Sequence, residues 1–153
     1  MTAASVSTSL WFESGAEEAA RYYCALFSDA RIDDIFPQQG DPEGRAFLVE
    51  FTLQGQRFQA MNGGPHYRLT PACSISVQLD TQAEIDRIWA ALLAGGGSES
   101  RCGWLTDRWG LSWQILPRAL LRLLRGPNAS PVTQAMMGMV KLDIAALQAA
   151  ARS

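Results

Sequence analysis

The sequence contains one imidazole, His66, which follows Gly63-Gly64-Pro65. A single histidine excludes any site that needs a His pair. An imidazole is suited to general acid–base work or to hydrogen bonding at a pocket rim. A histidine in a Gly/Pro linker also serves as a turn cap, and the sequence leaves both roles open. The three cysteines, Cys24, Cys73 and Cys102, show no CxxC spacing. That argues against structural zinc and against a disulfide framework, and it fits a reducing cytoplasm. Cys102 follows Arg101, but a reactive thiolate needs more positive surroundings than one neighbour supplies. Glu13, Glu17 and Glu18 fall at a helix start, where carboxylates complement the dipole.

The 153 residues carry 13 Lys+Arg against 15 Asp+Glu, a net charge of −2. Such a balance lacks the cationic surface that dedicated nucleic-acid binding needs. Hydrophobic residues make up 48% and charged residues 18%, a globular composition rather than a disordered one. No apolar run approaches the ~20 residues of a membrane span. Residues 1–9 lack the basic start and apolar stretch of a signal peptide.

The elements that must position any chemistry follow from periodicity. Residues 5–12 alternate as a strand. Ser14-Gly15-Ala16-Glu17 has the spacing of a capping box, and Ala19, Ala20, Tyr22, Tyr23, Leu26 and Phe27 form a helical stripe. Residues 29–36 read as an edge strand, followed by a Pro/Gly-rich loop over 37–44. Residues 45–53 and 56–62 read as a hairpin around Gln54-Gly55. The pattern then restarts: a strand over 72–79 and a second capping box, Thr81-Gln82-Ala83-Glu84. A helix stripe follows on Ile85, Ile88, Trp89, Leu92 and Leu93, then a short strand and turn within 99–107. A last strand covers 111–116. Residues 119–125 and 131–150 read as helical.

This is an internal repeat. Residues 21–26 match 87–92 at an offset of 66, and 55–59 match 110–114 at an offset of 55. The expected fold is α+β: two paired βαβββ modules, the first about 1–63 and the second about 71–117, with a helical tail over 118–153. Pairing buries the apolar faces and leaves a concave side of the sheet.

Several stretches resemble the PhnB-like family, also labelled demethylubiquinone methyltransferase-like, of the glyoxalase/bleomycin resistance/dioxygenase (vicinal oxygen chelate) superfamily. They are residues 10–19, Met61-Asn62-Gly63-Gly64-Pro65-His66, residues 102–115 and Ile144-Ala145-Ala146-Leu147. The resemblance implies the two-module fold and a homodimer. It also implies that metal-dependent members draw ligands from the first and last strand of each module. Carried over by the two offsets, those positions are Thr8, Ser74, Gln59 and Gln114. Two hydroxyls and two amides are poor ligands for Zn, Ni or Fe, so no metal or other cofactor is expected. No Gly-rich strand-to-helix turn suits a nucleotide-like cofactor.

Strand alternation assigns faces. Gln114 goes with Ser112 and Leu116, Gln59 with Arg57 and Met61, Ser74 with Ser76 and Gln78, and Thr8 with Leu10 and Phe12. The opposite set, including Phe58, Ala60, Ile75, Val77, Trp113 and Ile115, belongs under the helices. The expected ligand-binding residues are Thr8, Phe12, Arg57, Gln59, Met61, Ser74, Ser76, Ser112 and Gln114, with Trp104 as a pocket wall. Neutral polar groups, one Arg and apolar walls suit a small organic ligand. The expected function is metal-independent binding of such a molecule, with sequestration, as in resistance proteins of the superfamily, as one form. The alternative is an enzyme acting on a small oxygenated substrate: a lyase, a dioxygenase or the labelled methyltransferase. His66 would then be the acid/base, and Gln59, Gln114 and Arg57 would hold an anionic oxygen. A third class is a dimeric partner-binding module with no ligand. In the tail, Val132, Met136, Met139, Val140, Leu142, Ile144 and Leu147 form a stripe that needs a partner surface, in its own subunit or a second one.

Overall fold

Gln54 and Gly55 both have positive φ, 48° and 82°, the conformation that a two-residue hairpin turn needs to match strand twist. They join β3 (Ala46–Leu53) to β4 (Gln56–Asn62), as the sequence predicts. The computed structural model describes residues 2–153. The chain divides after Leu69 into two units, each described by itself.

The first unit adds β1 (Thr8–Phe12), α1 (Ala16–Leu26) and the edge strand β2 (Ala30–Pro37). Its four-stranded sheet has the order β1-β4-β3-β2, with β1 parallel to β4 and the other pairs antiparallel. Leu10, Phe12, Val49, Phe51, Phe58 and Ala60 are buried, as are Ala16, Ala19, Ala20 and Tyr23 of α1. These form its core, with Phe51 stacked on Phe58 at 5.3 Å between ring centroids.

α1 begins differently from expectation. Its N-cap is Gly15, at φ 77°, and no side chain caps it from within the local sequence. The left-handed Gly15 takes Ser14 out of capping position, and Glu17 pairs with Arg21 instead. Asn62 does the work from 46 residues away: its Oδ1 accepts from the Ala16 N–H at 2.9 Å. Its Nδ2 donates to the Ala46 carbonyl at 2.8 Å. One amide thus ties together the start of α1, the start of β3 and the end of β4.

The second unit contains β5 (Ser74–Leu79), α2 (Gln82–Leu93), β6 (Ser98–Glu99), β7 (Trp104–Thr106) and β8 (Ser112–Pro117). The sheet order is β5-β8-β7-β6, again with its first strand parallel to its last. The Thr81–Glu84 capping box forms as predicted. Ile85, Ile88, Trp89 and Leu92 are buried, as are Leu105, Trp113 and Ile115. Asp107 is only 3% exposed. Its Oδ1 accepts from the Trp109 and Leu111 N–H groups, and its Oδ2 accepts from Trp113 Nε1 at 2.9 Å. Asp107 therefore serves as the acceptor that closes the turn into β8.

Three helices follow: α3 (Arg118–Leu123), α4 (Ala129–Met137) and α5 (Ile144–Ala151). Leu120, Val132, Leu142 and Leu147 make a small core of their own, with Leu116 of β8, Met136 and Met139 packed against it. Most of the apolar stripe is therefore answered within the same unit. Gln82 stitches the tail to α2, donating to the Leu142 carbonyl and accepting from the Ile144 N–H. Two strands are shorter than expected, β1 starting at Thr8 and β5 at Ser74. Among the described residues, no helix is long and apolar enough to cross a membrane.

Candidate functional site

In the first sheet, Arg57, Gln59 and Met61 share the face opposite α1, as alternation predicts. Cross-strand register adds Thr52, Glu50 and Leu48 from β3 and Ser9 and Trp11 from β1. Gln59 Nε2 donates to Glu50 Oε1 at 3.0 Å. Thr52 Oγ1 donates to Asp33 Oδ2 at 2.6 Å, and Arg31 holds the same carboxylate at 2.8 Å. The Arg57 guanidinium is exposed and donates to Ser5 Oγ. The face thus offers an amide, a hydroxyl, a carboxylate and a guanidinium within neighbouring register positions.

Thr8 and Phe12 are not part of this set. They lie in register with Phe58 and Asn62, on the helix side, and Phe12 is only 1% exposed. The cause is one residue. Three residues, Glu13-Ser14-Gly15, connect β1 to α1, but only two, Asp80 and Thr81, connect β5 to α2. An offset measured on the helices is therefore one short for the strands, and a one-residue slip flips every side chain to the other face. The residue opposite Gln59 is Ser9, as Ser76 is opposite Gln114. The hydroxyl chemistry expected of Thr8 is present, one position later.

In the second sheet, Ser74, Ser76, Trp104, Ser112 and Gln114 all fall on one face. Gln114 Nε2 donates to Ser74 Oγ at 2.9 Å. Trp104 stands across from Gln114, half-buried. Ser112 is 2% exposed, and its Oγ has no hydrogen-bond partner among the described residues. A buried hydroxyl left unpaired costs on the order of 1–3 kcal/mol.

His66 lies on neither face. It sits exposed in the turn after β4 and makes no hydrogen bond or ion pair among the described residues. The turn itself is held by Trp11. Trp11 Nε1 donates to the Gly64 carbonyl at 2.9 Å, and its ring meets Tyr67 edge-on at 4.9 Å. A Cβ on Gly63 would lie 2.3 Å from the Trp11 ring, so only glycine fits there. Sequence reasoning missed Trp11 because the face of β1 was inverted. It also missed Glu50, which the two-residue hairpin turn places opposite Gln59.

The donors on the two faces are mostly neutral amides and hydroxyls, and among the described residues no group of three His, Cys, Asp or Glu could hold a metal ion. This donor set does not fit a Zn, Ni or Fe centre. Burial, and then the Asp33 carboxylate, push the Cys24 thiol upward, against a smaller opposing effect of Arg21.

No curated protein matches the chain. A solved structure from Bacillus cereus, described as a 3-demethylubiquinone-9 3-methyltransferase, PhnB protein, is 31% identical with a TM-score of 0.66. The match covers 73% of this chain and 98% of that one. A protein from Pseudomonas aeruginosa is 23% identical over 75% of this chain and 98% of that one, with a TM-score of 0.62. Fosfomycin resistance protein FosX from Mesorhizobium loti is 16% identical over 82% of this chain and 100% of that one. Its TM-score of 0.56 shows a shared fold. The family model described as 3-demethylubiquinone-9 3-methyltransferase matches residues 4–116, and the chain belongs to this PhnB-like family of the vicinal oxygen chelate fold.

Proposed function

We propose that this protein binds small oxygenated organic molecules, without a metal, on the strand face opposite α1 and, taken by itself, on the strand face opposite α2. The observation that carries the reading is the pairing of one serine with one glutamine on each face, Ser9 with Gln59 and Ser76 with Gln114. A primary amide both donates and accepts, and a serine hydroxyl does the same. Such pairs recognise hydroxyl, carbonyl or carboxylate oxygens without a charge to neutralise. Arg57 adds a cation for an anionic oxygen, and Met61 and Trp104 supply apolar contact.

The family description names a methyl transfer. A nucleotide-like cofactor calls for a Gly-rich turn and free N–H groups at the start of a helix. The Glu13-Ser14-Gly15 connection has one glycine, and the Ala16 N–H already donates to Asn62. These residues do not fit such a cofactor, and the reading contains no methyl transfer. Nor does it give His66 an acid–base role. The protein works as a cytoplasmic homodimer in this reading, each chain built of module one (1–63), module two (71–117) and the tail. Exposed Phe36, Phe47 and Met137 supply apolar surface for association.

The test is titration of the full chain with a panel of hydroxy acids and hydroxybenzoates, followed by backbone amide NMR. Gln59→Ala and Gln114→Ala weaken binding about tenfold, Arg57→Ala weakens the anionic members selectively, and His66→Ala changes nothing. Turnover of a panel member that is lost in His66→Ala would replace this reading with the catalytic one.

A further inference from the structure

The family model ends at residue 116, and the three tail helices come after it. From Arg118 onward the chain holds five basic side chains and one acidic one, whereas the part before it holds eight basic and fourteen acidic. The tail therefore carries a net positive charge and the rest of the chain a net negative one. Arg118 is paired with Asp80 and Lys141 with Asp86. The Arg122 guanidinium makes no hydrogen bond or ion pair among the described residues.

Arg122 lines a groove of about 340 Å³ formed by α3, α5 and the 126–128 connection. Ala119, Leu123 and Ala151 give it apolar walls, and Gln148 adds a second polar group. The volume falls at the lower end of the roughly 300–1,000 Å³ typical of small-molecule sites. An unpaired guanidinium beside apolar walls favours one ligand chemistry. Its planar fork binds a carboxylate through two parallel hydrogen bonds, while the walls take an aliphatic body. We infer that the tail groove is a second ligand site, separate from the sheet faces, for a compact aliphatic carboxylate. Gln148 donates to the carboxylate beside Arg122, and the surplus positive charge of the tail favours the anion's approach.

Octanoate, octanol and acetate are the probes, titrated calorimetrically into the full chain. Octanoate binds, and octanol and acetate bind at least tenfold more weakly, because each lacks one half of the recognition. Arg122→Ala weakens octanoate about tenfold and Arg122→Lys restores part of the loss, since a point charge replaces the fork. Ala119→Leu, which fills the groove, blocks binding, whereas Gln59→Ala leaves it unchanged. Equal affinity for octanol and octanoate, or undiminished octanoate binding by Arg122→Ala, would overturn the inference. Arg122 is exposed, so its replacement does not endanger the fold.

Discussion

Ser9 stands directly across from Gln59 on parallel strands, one position along from the residue that the helix repeat nominates. The relationship recurs at Ser76 and Gln114. The repeat is therefore conserved in its cross-strand pairs even though the connection before α1 is one residue longer. Loops absorb such insertions readily, whereas a sheet with one face buried holds its register.

Replacing Gly63 by Ala drives a methyl group into the Trp11 ring. Destabilisation of about 1–3 kcal/mol is expected, measured by urea unfolding. In a double-mutant cycle, Trp11→Ala removes most of that penalty, because the clash partner is gone. Equal cost in both backgrounds would show that Gly63 is needed for another reason.

Asn62→Ala removes the remote cap of α1 together with the link to Ala46, and should cost about 1–2 kcal/mol. Ser14→Ala should be close to neutral. The comparison of the two by thermal unfolding distinguishes the observed cap from the local one that the sequence motif predicts.

Asp107→Ala strands three donors, two of them buried: the Leu111 N–H and the Trp113 indole, with the part-buried Trp109 N–H. A loss of about 2–4 kcal/mol is expected. Asp107→Asn keeps an acceptor for part of the turn and should fall between Ala and wild type in chemical denaturation.

Hydrogen bonds from Lys141, then from Gln82, hold the Asp86 carboxyl below its ordinary value of 3.8. A carboxylate depressed in the folded state stabilises above that ordinary value and loses its contribution as pH falls through the folded one. Amide protection over residues 141–144, corrected for the intrinsic pH dependence of exchange, should therefore fall below about pH 4. Asp86→Asn should show faster exchange already at neutral pH and a flatter acid response.

Much of the fold was legible because its determinants are local. The Thr81–Glu84 box, the Gln54-Gly55 turn and the α2 stripe each lie within a few residues. The α1 cap was not legible, because Asn62 reaches it from the end of β4 and Gly15 displaces the local candidate. Four residues of the β5–β8 face were readable from alternation alone, and Trp104 joins them through β7. The β1 face was not readable, because an offset taken from helices says nothing about the length of a connection. Glu50 was within reach: once the hairpin turn is placed, its position opposite Gln59 follows. The tail stripe was visible in sequence, but whether it closed on its own helices depended on tertiary packing.

The most direct measurement of the central claim is amide NMR of the full chain, with chelator present, titrated with the hydroxy-acid and hydroxybenzoate panel. Metal-independent binding gives saturable shifts centred on Gln59 and Gln114, weakened by Gln59→Ala and Gln114→Ala and unaffected by the chelator. Shifts that appear only after adding a divalent metal, or that persist unchanged in both glutamine variants, would contradict it.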